Sequence, residues 1–102
     1  MVERHHFLKL KAAYATDAGR AEVVERTLDV LPRARGVLRV TAGVPADPES
    51  AASWDVCITV RFAHLDDLAH YRADAAHRAF VDDFLTPRVE VKKAWNFAVR
   101  VA

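Results

Sequence analysis

Two side chains in the stretch HYRADAAHRAFVDDFL, residues 70 to 85, could do chemistry together. His77 falls on a helical stripe with Ala76, Phe80, Val81 and Phe84. An imidazole on such a stripe meets a low dielectric, which disfavours its charged form and leaves it neutral near pH 7 and able to accept a proton. Tyr71 shares the preceding stripe with Leu65 and Leu68. Its phenol can donate a hydrogen bond to a carbonyl or enolate oxygen as charge develops there. The pair would suit removal of a proton next to a carbonyl. The same spacing also fits a core histidine bonded to a backbone carbonyl and a tyrosine that fills space, so spacing alone leaves both readings open.

Other polar residues carry less. His5 and His6 are adjacent on an alternating segment, so they point to opposite faces and cannot ligate one ion from one chain; no metal site is expected. Arg4, on the His6 face, could pair with a carboxylate or snorkel to water. His64 and His70 stand beside Asp66 and Asp67 and read as solvated or capping residues. Cys57 reads as a small strand residue. The sequence holds no Gly-rich phosphate loop, no CxxC pair and no nucleophilic triad, which argues against nucleotide, disulfide-exchange and acyl-enzyme chemistry.

The elements that must position these residues follow from periodicity. From Val2 to Ala12 the pattern alternates, with Arg4, His6, Leu8 and Leu10 on one face and His5, Phe7, Lys9 and Lys11 on the other. A helix follows, capped by Thr16 or Asp17, with Ala21, Val24, Leu28 and Leu31 as its apolar stripe and Pro32 as its stop. Residues 36 to 44 form a short strand, and PADPES after it reads as a loop. The next strand alternates Trp54, Val56, Ile58, Val60 and Phe62 against Asp55, Cys57, Thr59 and Arg61. Residues 64 to 87 make two short helices or one broken helix, ended by Pro87. The last strand sets Val89, Val91, Lys93, Trp95, Phe97, Val99 and Val101 on one face, expected to face inward.

This order predicts an α+β fold, the ferredoxin-like βαββαβ arrangement, as one domain over residues 1–102 with helices covering one face of a four-stranded antiparallel sheet. The other face carries Phe7, Cys57 and Thr59 among charges, and a second copy of the sheet is expected to cover it, giving a homodimer. Fifteen basic and fourteen acidic residues are interleaved, so no one-signed surface is available for nucleic acid. No apolar run approaches a membrane span, the start lacks an apolar leader core, and Cys57 has no partner, so a cytoplasmic location without membrane association is expected.

The segments HHFLKLK, VLPRARGVLRVTAG and WDVCITVRFAHLDDLAHYRADAAHRAF together resemble the stress-responsive dimeric α/β-barrel (Dabb) proteins over nearly the whole chain. The most specific part is Phe62 ending a strand, then Tyr71, His77 and Phe80. The resemblance implies a dimeric α/β barrel with a cavity between each sheet and its helices. Within the family the chain is similar to polyketide cyclases of the olivetolic acid cyclase type, which close a poly-β-keto chain by aldol condensation without a cofactor. That likeness implies catalytic roles for Tyr71 and His77. Where the family pattern has a histidine on the first strand this sequence has Arg4, with His6 two residues on along the same face.

The expected function is binding of a small organic ligand, with cofactor-independent acid-base chemistry on a β-keto or polyketide-like substrate. His77 would be the base, Tyr71 the donor to the oxyanion and His6 the third catalytic group. Arg4, Leu8, Val24, Ile58, Phe80 and Trp54 would line the substrate. The alternatives are a non-catalytic stress-response ligand binder and a cofactorless monooxygenase of an aromatic polyketide, with Trp54, Asn96 and His77 as its wall. Fold alone does not choose among them.

Overall fold

A computed structural model describes residues 1–102. Four strands, β1 (Val2–Leu10), β2 (Arg39–Gly43), β3 (Val56–Phe62) and β4 (Val89–Ala98), pair antiparallel in the order β2-β3-β1-β4. Helix α1 (Asp17–Val30) links β1 to β2, and a shorter α2 (Pro48–Ser53) links β2 to β3. Helices α3 (Asp67–Ala73) and α4 (Ala75–Ala79) follow β3. The chain then runs through a π-helical segment at Phe80–Leu85 and one closing turn, α5 (Thr86–Arg88), into β4. This is the ferredoxin-like βαββαβ fold with α2 added in the second connection.

The inner face of the sheet is built by strict alternation. Val56, Ile58, Val60 and Phe62 are almost wholly buried while Cys57, Thr59 and Arg61 between them are half-exposed. Each such burial is worth about 1.5–3 kcal/mol, which fixes the register because a one-residue slip would turn all four to the other side. His6, Leu8 and Leu10 are buried in the same way on β1.

Helix α1 begins where the Thr16 hydroxyl accepts from the Gly19 amide at 3.0 Å. Its buried residues are Val23 and Thr27, continued by Leu31 in the following 3-10 turn; Val24 is half-buried, and Ala21 and Leu28 are exposed. The expected stripe is therefore rotated toward a polar residue. Thr27 can lie inside because its hydroxyl donates to the Val23 carbonyl at 2.7 Å, leaving only its methyl to the core. PADPES is likewise a helix start as much as a loop, since the Asp47 carboxylate accepts from the Ser50 amide at 2.7 Å and Pro48 opens α2. At the turn before β2, Gly36 has φ +84°, a left-handed conformation, and a side chain there would press on Asp67.

Three further expectations are corrected. Pairing of β4 with β1 sets Trp95 opposite His5, Phe97 opposite Glu3 and Lys93 opposite Phe7, so the more apolar face of β4 points outward and Lys92, Ala94 and Asn96 point inward. Trp54 precedes β3 and packs at a tilt against Phe7, ring centroids 5.7 Å apart, on the outer face instead of the inner one. Asp55, expected to face outward, is buried, accepting from the Leu10 amide at 2.7 Å and from Arg20 at 3.0 Å. It ties α1 to the ends of β1 and β3.

Candidate active site between sheet and helices

A cavity of about 300 Å³ opens between the inner face of the sheet and the second helical connection. From β1 it receives Arg4 and His6, from β3 Ile58, and from β4 Lys92. Helices α3 and α4 supply Tyr71, Arg72, His77 and Arg78, and the π-helical segment Phe80, Val81 and Leu85. That segment explains how Phe80 and Leu85, five apart, both reach inward: one extra residue per turn brings positions i and i+5 into line. Its closure is marked by the Thr86 hydroxyl, which donates to the Val81 carbonyl at 2.8 Å.

Three of the polar groups here have no partner. His6 Nε2, the Tyr71 hydroxyl and His77 Nδ1 are buried and make no hydrogen bond. Their residues are 8, 1 and 9% exposed. Such groups cost about 1–3 kcal/mol each when left unsatisfied, so three in one cavity is a strained arrangement for packing and an economical one for a ligand that supplies the missing bonds. Tyr71 and His77 lie with ring centroids 4.1 Å apart, and Phe62 meets Tyr71 edge-on at 5.1 Å, which holds the phenol in place.

The electrostatics separate the two imidazoles. Burial, reinforced by the charges of Arg4 and Lys92, pulls His6 down to about 3, so it is neutral at any ordinary pH and a poor base. Burial also lowers His77, helped by Lys92 and Arg78 and opposed by the Arg72 main chain and Asp74. His77 is thus the better proton acceptor of the two. Burial pushes the Tyr71 phenol up, with Arg4 acting in the other sense, so Tyr71 is a donor and not a phenolate. Arg4 is oriented by its bond to the Asn96 side-chain oxygen at 3.0 Å.

Of the residues expected to form a site, His77, Tyr71, His6, Arg4, Ile58 and Phe80 come together around this cavity. Leu8 lies in the core beneath it, Val24 packs on that core from α1, and Trp54 borders a separate groove on the outer face with Phe7 and Cys57. Arg72, Arg78, Lys92 and Leu85 were not anticipated. Lys92 was hidden by the assignment of β4's faces, and Leu85 by the π-helical turn, which breaks the spacing of 3.6. Arg72 and Arg78, the chain neighbours of Tyr71 and His77, are exposed by area, yet both line the cavity. His5 and His6 do point to opposite faces, and no three of His, Cys, Asp and Glu gather at one point.

The model for the stress responsive A/B barrel domain matches residues 2–97. The chain belongs to that family. A crystal structure of a Dabb protein with a ferredoxin-like fold from Mesorhizobium loti is 19% identical, superposes with a TM-score of 0.80 and is covered over 97% of its length by 98% of this chain. A dimeric ferredoxin-like protein of unknown function from Thermobifida fusca is 14% identical, with a TM-score of 0.81 and coverage of 96% of this chain and 90% of that one. The hydroxynitrile lyase of Passiflora edulis is 13% identical, with a TM-score of 0.79 and coverage of 99% and 94%. At these identities the likeness to this Dabb chain is one of fold. No curated protein matches the sequence.

Proposed function

We propose that this Dabb protein binds a small carbonyl compound between sheet and helices and moves a proton on it without a cofactor. The observation that carries the reading is the convergence of three unpartnered buried groups, from His6, Tyr71 and His77, on one cavity. In this reading the neutral His77 imidazole takes a proton from the carbon next to the carbonyl, and the Tyr71 hydroxyl donates to the enolate oxygen as charge grows there. His6, neutral and nearly titration-proof, orients the substrate by a hydrogen bond. On a β-keto or polyketide-like chain the enolate carbon would attack a second carbonyl, giving the aldol closure of an olivetolic acid cyclase-type enzyme. The fold carries a lyase in the Passiflora protein, which is compatible with this class of chemistry.

The assembly proposed is a homodimer through the outer sheet face. Trp95 and Phe97 are half-exposed there, next to Phe7 and Trp54, and structural neighbours such as the Thermobifida fusca protein are dimeric.

The test is deuterium wash-in from heavy water at the activated carbon of a β-diketone, followed by proton NMR. Exchange above the buffer rate that disappears in His77→Ala, with circular dichroism unchanged, supports the reading. Full exchange in His77→Ala ends it. Saturable binding without any exchange would move the protein to the non-catalytic ligand binders, and oxygen uptake with a hydroquinone would move it to the monooxygenases.

A further inference from the structure

The cavity's charge has no counterpart in the chain as a whole. Fifteen basic and fourteen acidic residues nearly balance over the sequence, but the twelve residues lining the cavity include four permanent cations and no acid. The cations come from four different elements: Arg4 from β1, Arg72 from α3, Arg78 from α4 and Lys92 from β4. Three of the four, Arg4, Arg72 and Lys92, have no carboxylate within 4.0 Å, while Arg78 shares a long, exposed contact of 3.4 Å with Asp82. Asp74, at the start of α4, is occupied in accepting from the amides of Ala76, His77 and Arg35. Arg4 donates to the side-chain amide oxygen of Asn96, which fixes the guanidinium's direction without neutralising it.

Uncompensated like charges around a half-enclosed, low-dielectric cleft repel one another and focus a positive potential into it, which an anion relieves. The buried imidazoles register that field, since Arg4 and Lys92 depress His6, and Lys92 and Arg78 depress His77. We propose that the ligand of this site is an organic carboxylate, its anion held at the rim by Arg4, Arg72, Arg78 and Lys92 while its carbonyl reaches Tyr71 and His77. This rests on the carbonyl reading of the cavity and narrows its substrate class. A guanidinium offers a carboxylate two parallel N–H donors, and Arg4, half-buried and braced by Asn96, is the residue placed to do so. The same placement gives a keto acid one orientation: charge toward the rim, carbonyl toward the unpartnered groups within.

The experiment compares 3-oxooctanoate with its uncharged methyl ester by isothermal titration calorimetry on the intact protein, at low salt and at about 0.5 M salt. The carboxylate is expected to bind about tenfold or more tightly than the ester, with the advantage shrinking at high salt. In Arg4→Gln the two affinities should converge, and in Lys92→Gln, an exposed position whose substitution spares the fold, the gap should narrow. Equal affinities in the wild type, tighter binding of the ester, or no carboxylate binding at millimolar concentration overturns the proposal. Binding is read without turnover. A preference for the carboxylate with no deuterium wash-in would therefore remove the proton-transfer reading and leave the carboxylate assignment standing.

Discussion

Tyr71 is held at 1% exposure with a hydroxyl that bonds to nothing. Removing the hydroxyl in Tyr71→Phe should leave the apo protein as stable as the wild type or more stable by up to about 1 kcal/mol, since an unsatisfied buried group is lost with little change in shape. The same change should slow proton exchange on a β-diketone by roughly 10²–10³-fold if the phenol carries the oxyanion; thermal denaturation and the exchange rate measured side by side check both halves. His77 gives a pH signature. Its folded pKa lies below 6.5, and the base must be neutral, so activity should hold above pH 6.5 and fall as pH drops through the lowered His77 value. His6 gives a stability signature of the same sign. Its folded value of about 3 sits below the unfolded 6.5, so the unfolded chain takes up the proton first. Stability should be unaffected by this group above pH 6.5 and decline as pH falls toward 3, by on the order of 2–3 kcal/mol at pH 4.5. His6→Asn should flatten that part of a urea-denaturation pH profile; an unchanged slope would remove His6 as its source.

At the scale of elements, the buried Asp55 is the joint most exposed to damage. Its two oxygens serve the Leu10 amide and the Arg20 guanidinium, whose side chain is 21% exposed. Asp55→Ala leaves the Leu10 amide without its acceptor and Arg20 with only its long, exposed contact to Asp17 at 3.4 Å, and should cost about 3–5 kcal/mol in chemical denaturation, whereas Asp47→Ala, which removes an exposed cap from α2, should cost about 1 kcal/mol. Both helix starts were partly legible: Thr16 was one of two candidate caps for α1, while the Asp47 cap was read as loop because Pro, Asp and Ser mark turns and helix starts alike. The broken helix after β3 was expected, but its π-helical turn was not, since an inserted residue shifts Leu85 off the 3.6 spacing by which a stripe is recognised, without a residue type that marks the insertion.

At the scale of the molecule, the outer sheet face combines an aromatic group with an ion-pair network. Phe7 lies between Trp54 and Trp95, at 5.7 and 6.2 Å, and Phe97 meets His5 edge-on. Beside them Arg61 donates to Glu3 at 2.7 and 3.0 Å, and His5 Nε2 is 3.4 Å from Glu3. A charge placed among the aromatics should split the proposed homodimer, because burying it unpaired costs several kcal/mol. Trp95→Glu is expected to sediment at half the mass of the wild type. A wild-type protein that sediments as a monomer at all concentrations would sink the dimer, and with it the expectation that the sheet face is covered by a second copy.

The sequence by itself determined the βαββαβ order of the main elements, the two faces of β1 and β3, and the gathering of Arg4, His6, Tyr71 and His77 on the inward side, because alternation with few exceptions is enough to orient a strand whose other face carries mostly polar residues. It also carried the family, through Phe62, Tyr71, His77 and Phe80. The tertiary structure decided what local pattern leaves open. β4 has apolar residues on both faces, and its hydrogen-bond ladder to β1, at the other end of the chain, is what turns Lys92 and Asn96 inward and Trp95 and Phe97 outward. Thr27 counts as polar in any stripe until its hydroxyl finds the Val23 carbonyl. The cationic rim of the cavity has the same origin: Arg4, Arg72, Arg78 and Lys92 are unremarkable charges along the chain and become a single positive site only where four separate elements meet.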